Sequence, residues 1–355
     1  MTDEQFNQLN GKLDLVNANL SQMHAEEFQW ADTIINRLNF QPAPQDFVPY
    51  YDPPQFALSP AYPEVYNKYG ERMEIFFISD RVYASRPNKR DSRYIIWDRY
   101  NYGNKTHFYS HDEIFRTVGK PEIRFAMLME PRSIKPQSYE NVLKHKDYVE
   151  KNFALLFTHD AQVLNDVSNA CFVPFYANVW YRKRLDGTAD VADNYTRKTK
   201  NISMISSAKE MCDMHIVRKK LAFRCKAKGL ADTFGTFDGG EFASVDKYLE
   251  QYRYSIAIEN DLTPYFFTEK ILNCFAAQTI PIYLGATKID KFFNADGIIQ
   301  IGLDDCNHIE DILKRCTPEE YERRLPAVID NYNRAMRSMT HTRFDEMYVQ
   351  YIRGK

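Results

Sequence analysis

Residues 252–260 read Tyr-Arg-Tyr-Ser-Ile-Ala-Ile-Glu-Asn, an apolar run that ends on a carboxylate and an amide. Residues 268–270, Thr-Glu-Lys, then open a helical segment, and residues 280–284, Ile-Pro-Ile-Tyr-Leu, form the next apolar run. A strand, a helix and a second strand in this order build a parallel sheet. Because ligands bind such sheets outside the carboxyl ends of the strands, the polar residues after position 258 are candidates for a binding site.

The same alternation of strand and helix extends outward from this unit. It predicts strands at 74–83, 94–97, 123–129, 153–157, 171–173, 202–206, 254–258, 280–284 and 298–301, and helices at 111–117, 138–150, 160–168, 214–228, 268–278 and 318–339. The charged stretch 181–200 separates the pattern into two halves. The expected fold is therefore α/β, with two facing Rossmann-like domains, 91–194 and 195–339, and a cleft between them.

The segments at the two ends follow other patterns. Apolar residues in 1–40 recur at alternating steps of three and four, which is typical of a coiled coil that joins copies of the chain into a homo-oligomer. An amphipathic helix folded back on the chain's own core is the alternative. Residues 41–90 are a proline-rich linker and lead-in, and a helix at 340–355 could pack back on the first domain.

Composition and charge exclude several classes of protein. The 46 Lys and Arg residues against 48 Asp and Glu residues give a net charge of −2, which lacks the positive field of a general nucleic-acid binder. No apolar run approaches the length of a membrane helix, and the polar start does not resemble a signal peptide. We therefore expect a cytoplasmic protein without a transmembrane segment, and peripheral attachment to a membrane stays open. The six cysteines contain no Cys-x-x-Cys, so no metal site is expected.

Several common enzyme signatures are missing from the sequence. It contains neither the G-x-x-x-x-G-K-[ST] nor the G-x-G-x-x-G phosphate-binding pattern, and neither the H-E-x-x-H nor the G-x-S-x-G motif. These absences disfavour ATPases, dehydrogenases, zinc peptidases and serine hydrolases. Two parallel α/β domains without such signatures leave a nucleotide-sugar transferase as the natural candidate.

Lys270 is the first indication of the ligand. It stands at the start of a predicted helix, where the helix dipole is already positive, and a bound anion would resolve that conflict. Helix amides and Lys270 would form a diphosphate site, which one of the three adjacent basic residues Arg218, Lys219 and Lys220 could reach from the preceding helix. Asn260 and Glu269 could hold sugar hydroxyls. The alternative is that Thr268 is only a helix cap and that the charged residues are solvated.

A second candidate position lies in the first domain. Glu130 directly follows the predicted strand 123–129, and Pro131 ends that strand. A carboxylate aimed into the cleft from a strand end suits a general base, although an ordinary loop residue is the alternative. Asp98, at the end of what we expect to be the neighbouring strand, is the next carboxylate to consider.

These residues resemble glycosyltransferase family 10, the α-1,3-fucosyltransferases. The shared pattern joins 252–260 to Tyr-Phe-Phe-Thr-Glu-Lys-Ile at 265–271 and Ile-Pro-Ile-Tyr-Leu-Gly-Ala at 280–286, in the family's order and spacing. Weaker similarity at 95–98, 129–131 and 218 extends the resemblance over about 94–305. Residues 132–133 depart from the family pattern, and the cysteine pairs of its animal members are missing.

The resemblance implies a GT-B fold and an inverting enzyme that transfers fucose from GDP-fucose to a saccharide hydroxyl, with an α-1,3/4-type linkage in glycan or surface polysaccharide synthesis. No metal or cofactor is expected, because side-chain cations would neutralise the leaving diphosphate. Glu130 is the expected catalytic base. The expected donor-binding residues are Arg218, Asn260, Tyr265, Glu269, Lys270, Gly239 and Gly240. The expected acceptor-binding residues are Trp97, Asp98, Tyr100 and Asn101.

Two other functions remain open at this point. The same scaffold could use a different nucleotide sugar, since Glu269 and Asn260 would suit several hexose rings. Alternatively, the chain could be a noncatalytic assembly protein in which the predicted coil carries the function.

Overall fold

The computed structural model describes residues 74–79, 95–98, 103–173, 179–181 and 193–338. The predicted coil at 1–40, most of the proline-rich segment and the helix expected at 340–355 lie outside these residues. The strands are β1 Glu74–Ser79, β2 Ile95–Asp98, β3 Thr106–Ser110, β4 Ile123–Leu128, β5 Leu155–Thr158, β6 Ala170–Phe172, β7 Lys200–Ile205, β8 Asp232–Phe234, β9 Tyr252–Ile258, β10 Ile280–Leu284 and β11 Ile299–Gln300. The α-helices are α1 Pro136–Lys144, α2 Lys146–Asn152, α3 Ala161–Asp166, α4 Asp213–Lys228, α5 Val245–Leu249, α6 Glu269–Ala276, α7 Ile309–Leu313 and α8 Pro318–Ser338. Within this part of the chain, no helix is both long and apolar enough to cross a membrane.

The first sheet has six parallel strands in the order β2-β1-β3-β4-β5-β6. β1 pairs with both β2 and β3, so the sheet takes a strand from the expected lead-in and begins before residue 91. The sequence does not predict β3, because Thr-His-Phe-Tyr-Ser is too polar to suggest a buried strand. All five of its residues are nevertheless buried, and the Tyr109 hydroxyl lies 2.8 Å from Nδ1 of His107. Such internal hydrogen bonds make the burial of polar side chains tolerable.

The second sheet has five parallel strands in the order β11-β10-β9-β7-β8. From β7 the chain runs to β8 on one side and then to β9, β10 and β11 on the other. This reversal between β7 and β9 is a topological switch point, where open parallel sheets form their ligand crevice. The polar residues after position 258 follow β9 and therefore stand at that crevice. Two parallel sheets with helices between their strands confirm the expected α/β fold class.

Some predicted elements change in the structure. The segment 138–150 forms two helices, α1 and α2, that meet at His145. Residues 111–117 contain a short 3-10 helix, His111–Phe115, and no α-helix. α4 ends as expected at Gly229, whose φ of 61° suits a residue without a side chain. The unpredicted elements β8, α5 and α7 are only three to five residues long, which is too short to show a hydrophobic period.

The carboxyl ends of the two sheets face each other. In the loop after β4, the Ser133 hydroxyl donates a hydrogen bond of 2.8 Å to the Asn260 carbonyl after β9. After β5, the His159 ring packs on Phe266, with 4.9 Å between ring centroids. Loops from both units therefore contact each other at the carboxyl ends of the sheets.

Candidate active site

A buried carboxylate joins the end of β9 to the start of α6. Glu259 is 0% exposed, and its carboxylate oxygens accept hydrogen bonds from the Thr268 amide at 2.8 Å and the Thr268 hydroxyl at 2.7 Å. Thr268 is the N-cap of α6, as the helix-cap alternative expects, because its hydroxyl oxygen accepts from the Lys270 amide at 3.3 Å. A Cβ added at Gly285 would lie 2.6 Å from Cγ of Glu259, so only glycine fits beside the carboxylate.

Lys270 places its ammonium over this carboxylate. Nζ lies 3.2 Å from the Glu259 carboxylate and 3.7 Å from that of Glu269. Burial opposes the charged form, but Glu259 and Glu269 outweigh it and raise the pKa of Lys270. The side chains of Lys270 and Glu269 are only 23% and 17% exposed, so these two residues are not freely solvated. A fixed ammonium that is partly open to solvent is suited to binding an anion.

Arg218 reaches the same strand end from α4. The residue is 7% exposed, and its Nη1 donates to the carbonyl of Ile258 at 2.9 Å and to Oδ1 of Asn260 at 3.3 Å. Burial lowers the pKa of Arg218, while the Glu259 carboxylate raises it. The guanidinium keeps its charge, since the arginine pKa starts far above neutrality. The structure thus brings Arg218 and Asn260 together, as the sequence predicts.

His215 is a member of this cluster that the sequence analysis missed. It lies in the first turn of α4, is buried, and accepts a hydrogen bond from the Met211 amide on Nδ1 at 3.1 Å. Burial, together with the positive charges of Arg218, Lys270 and Lys209, lowers its pKa to about 4. The spacing of three from Arg218 places both residues on one helix face and is the signal that could have identified His215.

The glycines after β8 form a turn beside the end of β7. Gly235 has a φ of 96°, and a Cβ there would lie 2.2 Å from the Ser206 carbonyl oxygen. Gly239 has a φ of 84° but no heavy atom within 4 Å of such a Cβ, whereas a Cβ at Gly240 would lie 2.8 Å from the Gly235 carbonyl oxygen. Sequence reasoning selected Gly239 and Gly240, but Gly235 makes the closest approach to the switch point.

Tyr265 lies at the boundary between the two units. Its ring contacts Phe172 of β6 and Phe292, with centroids 5.7 and 6.4 Å away. The ammonium of Lys291 lies 5.6 Å from the same ring. The expected contact between Tyr265 and a donor sugar stays a prediction.

Side chains hold the backbone of Glu130 in place after β4. Glu130 is half-buried, and its amide donates to Nε2 of His111 at 3.0 Å. Its carbonyl accepts from the Tyr139 hydroxyl at 2.6 Å. Three residues on, Ser133 contacts the loop after β9, since its amide donates to Oδ2 of Asp261 at 3.3 Å. The segment that carries Glu130 is therefore in contact with the loop that follows β9.

The expected acceptor residues fall in two places. Trp97 and Asp98 end β2, which is the edge strand of the first sheet. Because β1 and β3 stand between β2 and β4, the strands of Asp98 and Glu130 lie about 14 Å apart at ordinary strand spacing. The expectation that Asp98 ends the strand next to that of Glu130 is wrong, because the chain order of strands is not their order in this sheet. Tyr100 and Asn101 lie outside the described residues.

Comparison with known proteins decides the family of the second unit. Residues 195–318 match the family model described as glycosyltransferase family 10 (fucosyltransferase) C-term, a stretch that contains the whole second sheet. Residues 195–318 form a glycosyltransferase family 10 domain. This confirms the family resemblance that the motifs at 252–286 indicate.

Individual relatives of the family 10 domain and of the fold are distant. The α-(1,3)-fucosyltransferase FucT of Helicobacter pylori is 32% identical over 56 residues, which are 16% of this chain and 12% of that protein. This chain thus matches about an eighth of the length of that relative. A crystal structure of an α1,3-fucosyltransferase with GDP aligns over 79% of this chain and 90% of that chain, with a TM-score of 0.48 and 13% identity.

A further structure, Anabaena Alr3699/HepE in complex with UDP-glucose, aligns with a TM-score of 0.51 and 8% identity. The alignment covers 80% of this chain and 100% of that chain. At this identity the likeness concerns the fold alone, an α/β arrangement that extends beyond the family 10 domain.

The family 10 domain contains every predicted donor-binding residue, namely Arg218, Gly239, Gly240, Asn260, Tyr265, Glu269 and Lys270. Glu130 and the predicted acceptor-binding residues precede the domain. The family match therefore covers the residues predicted to bind the donor and none of those predicted to bind the acceptor, and the roles of all these residues stay predictions.

Proposed function

We propose that the chain is an inverting glycosyltransferase that transfers fucose from GDP-fucose to a hydroxyl group of a saccharide, in an α-1,3/4-type linkage. The observation that carries the proposal is the meeting of Lys270, Arg218 and Asn260 at the switch point of a family 10 domain. In this GT-B enzyme, residues 195–339 bind the donor and the first unit binds the acceptor.

The donor binds through its diphosphate. Lys270 and Arg218 place two positive charges at the crevice, where they neutralise the charge that develops on the leaving GDP. Asn260 and Glu269 accept hydrogen bonds from hydroxyls of the ribose or the fucose, and the turn at 239–240 lies near the guanine. Because these cations come from side chains, the reaction requires no metal ion.

Glu130 is the general base. A saccharide hydroxyl is a poor nucleophile at neutral pH, so its proton must leave as its oxygen bonds to the anomeric carbon. The Glu130 carboxylate takes this proton while the bond from the anomeric carbon to GDP breaks on the opposite face, which inverts the configuration. The contact of Ser133 with Asn260 supports this role, because it brings the loop that carries Glu130 next to the proposed donor-binding residues after β9. Glu259 is unsuited to the role because it is fully buried.

Transfer by the purified protein is the direct test of the reaction. GDP-fucose and a panel of glycan acceptors are incubated with it, and products are identified by mass spectrometry. Faster transfer from GDP-mannose or UDP-glucose would replace fucose in the proposal. A folded protein that neither binds nor hydrolyses any nucleotide sugar would instead support a noncatalytic assembly protein. Activity should survive a chelator, and activity restored only by Mn²⁺ would contradict metal independence.

Substitution of Glu130 tests the mechanism. Glu130→Gln keeps the side-chain size and removes the base, so turnover should fall about 10²- to 10⁴-fold while GDP affinity changes little. Glu140→Gln, on the exposed side of α1, is the matched control and should leave turnover unchanged. Near-normal turnover of folded Glu130→Gln would remove Glu130 from the mechanism, and a parallel loss of GDP affinity would give it a structural role.

A further inference from the structure

Three side chains satisfy the main-chain polar groups of Met129 and Glu130. Nε2 of His111 accepts from both amides, at 3.2 and 3.0 Å. Nε2 of His159 lies 3.2 Å from the Met129 carbonyl oxygen, and the Tyr139 hydroxyl donates to the Glu130 carbonyl at 2.6 Å. Within a sheet, main-chain N–H and C=O groups usually form hydrogen bonds with the main chain of a neighbouring strand. The short segment at the end of β4 is therefore held by buried side chains, two of them imidazoles.

The two amides determine the protonation state of His111. A backbone N–H can only donate, so Nε2 must present a lone pair and the single ring proton must lie on Nδ1. His111 is 1% exposed, and its Nδ1 has no hydrogen-bond partner among the described residues. Its φ of 51° lies in the left-handed region, which few residues other than glycine adopt. A strained backbone conformation that is kept beside a candidate site is consistent with a functional demand.

We propose that His111 is a positioning residue for Glu130: its uncharged imidazole holds the Glu130 backbone in the conformation that presents the carboxylate to the acceptor, and protonation of the imidazole releases it. This inference rests on the proposed function, because it assigns His111 a role in placing the proposed base. The imidazolium would carry a proton on Nε2 as well, and that proton would face two N–H donors about 3 Å away. The three groups repel one another, so the segment must move.

The surroundings of His111 favour the uncharged form above mild acid. Burial, together with the nearby Lys135 and His159, lowers the pKa of His111 to about 4, although the Asp112 carboxylate acts in the opposite direction. The pKa of an unperturbed histidine is about 6.5. The Glu130 backbone should therefore be held at neutral pH and released as the pH falls toward 4.

Hydrogen exchange tests the release without depending on activity. Protection of the Met129 and Glu130 amides, corrected for the intrinsic pH dependence of exchange, should fall in the wild-type protein between about pH 6.5 and 4. In His111→Gln the carboxamide oxygen can accept from the same amides and does not titrate, so their protection should persist. Peptides from β9 must stay protected, which excludes global unfolding. Wild-type protection that persists to pH 4, or an equal loss in His111→Gln, overturns the proposal.

Kinetics then test the effect on catalysis. His111→Ala should lower kcat about 10²-fold, the scale expected for a misplaced catalytic group, and leave GDP affinity within about twofold. His111→Gln should recover most of kcat and move the acid limb of the kcat profile to lower pH. His308→Gln, at an exposed histidine, is the matched control. Unchanged kcat in folded His111→Ala, or an unshifted acid limb in His111→Gln, contradicts the positioning role. If the wild-type protein transfers no sugar, the proposed function fails, and exchange still decides whether His111 holds the segment.

Discussion

Lys270 is expected to stabilise the family 10 domain as well as to bind the diphosphate of the proposed donor. Lys270→Met leaves the fully buried Glu259 carboxylate without its positive partner, and breaking a buried ion pair costs about 3–5 kcal/mol. We expect the low end, about 3 kcal/mol, because Lys270 is 23% exposed and Thr268 still donates two hydrogen bonds to Glu259. For a unit of this size the melting temperature should fall by about 6–12 °C.

The same variant should bind GDP more weakly. Loss of one charge-assisted hydrogen bond to a phosphate removes about 1.5–3 kcal/mol, which corresponds to a roughly 10- to 150-fold weaker affinity. The double variant Glu259→Gln/Lys270→Met separates the two effects, because the neutral carboxamide can still accept from Thr268 and needs no positive partner. It should recover most of the lost melting temperature but none of the GDP affinity.

Calorimetric titration of GDP and thermal unfolding of each variant measure these quantities. Lys220→Met, at an exposed lysine of α4, is the matched control and should change neither. Recovery of GDP affinity together with the melting temperature in the double variant would contradict a direct contact between Lys270 and the diphosphate. Lys270 would then act on the donor only through the fold.

Three further predictions follow from the packing, the buried histidines and the N-terminal pattern. Gly235→Ala should lower the free energy of unfolding far more than Gly239→Ala, because only the new Cβ at position 235 would clash with backbone, at 2.2 Å from the Ser206 carbonyl oxygen. The positive φ at both positions costs each variant about 1 kcal/mol. Equal melting temperatures of the two variants would contradict this prediction. The free energy of unfolding should fall as pH drops from about 6.5 to 4, because the folded protein keeps three histidines uncharged that the unfolded chain protonates; a urea midpoint that is flat over this range would refute it. These residues are His111, His159 and His215, whose pKa values are each lowered to about 4, mainly by burial. Deletion of residues 1–40 should reduce the mass measured by light scattering to that of a monomer and leave GDP binding unchanged. An unchanged oligomeric state would contradict the prediction of a coiled coil.

The sequence by itself determined the α/β fold with parallel sheets and where the proposed donor-binding residues lie in the chain. Apolar runs, helix caps and strand ends are properties of neighbouring residues, so β9, α6 and β10 are readable directly from 252–286. The motif in the same stretch was specific enough to indicate family 10. The same stretch predicts Lys270 as an anion-binding residue, because a positive charge at a helix start is unusual whatever lies around it.

Only the tertiary structure decided which distant residues meet. Ser133 and Asn260 are 127 positions apart in the chain, and no local pattern connects them. The order β2-β1-β3-β4 separates Asp98 from Glu130, although their strands follow closely in the chain. Likewise, His111 becomes a support for Glu130 only because β3 and β4 pair side by side and bring its ring to the end of β4. Strand order and burial depend on how the whole chain packs, so these contacts cannot be derived from short-range patterns.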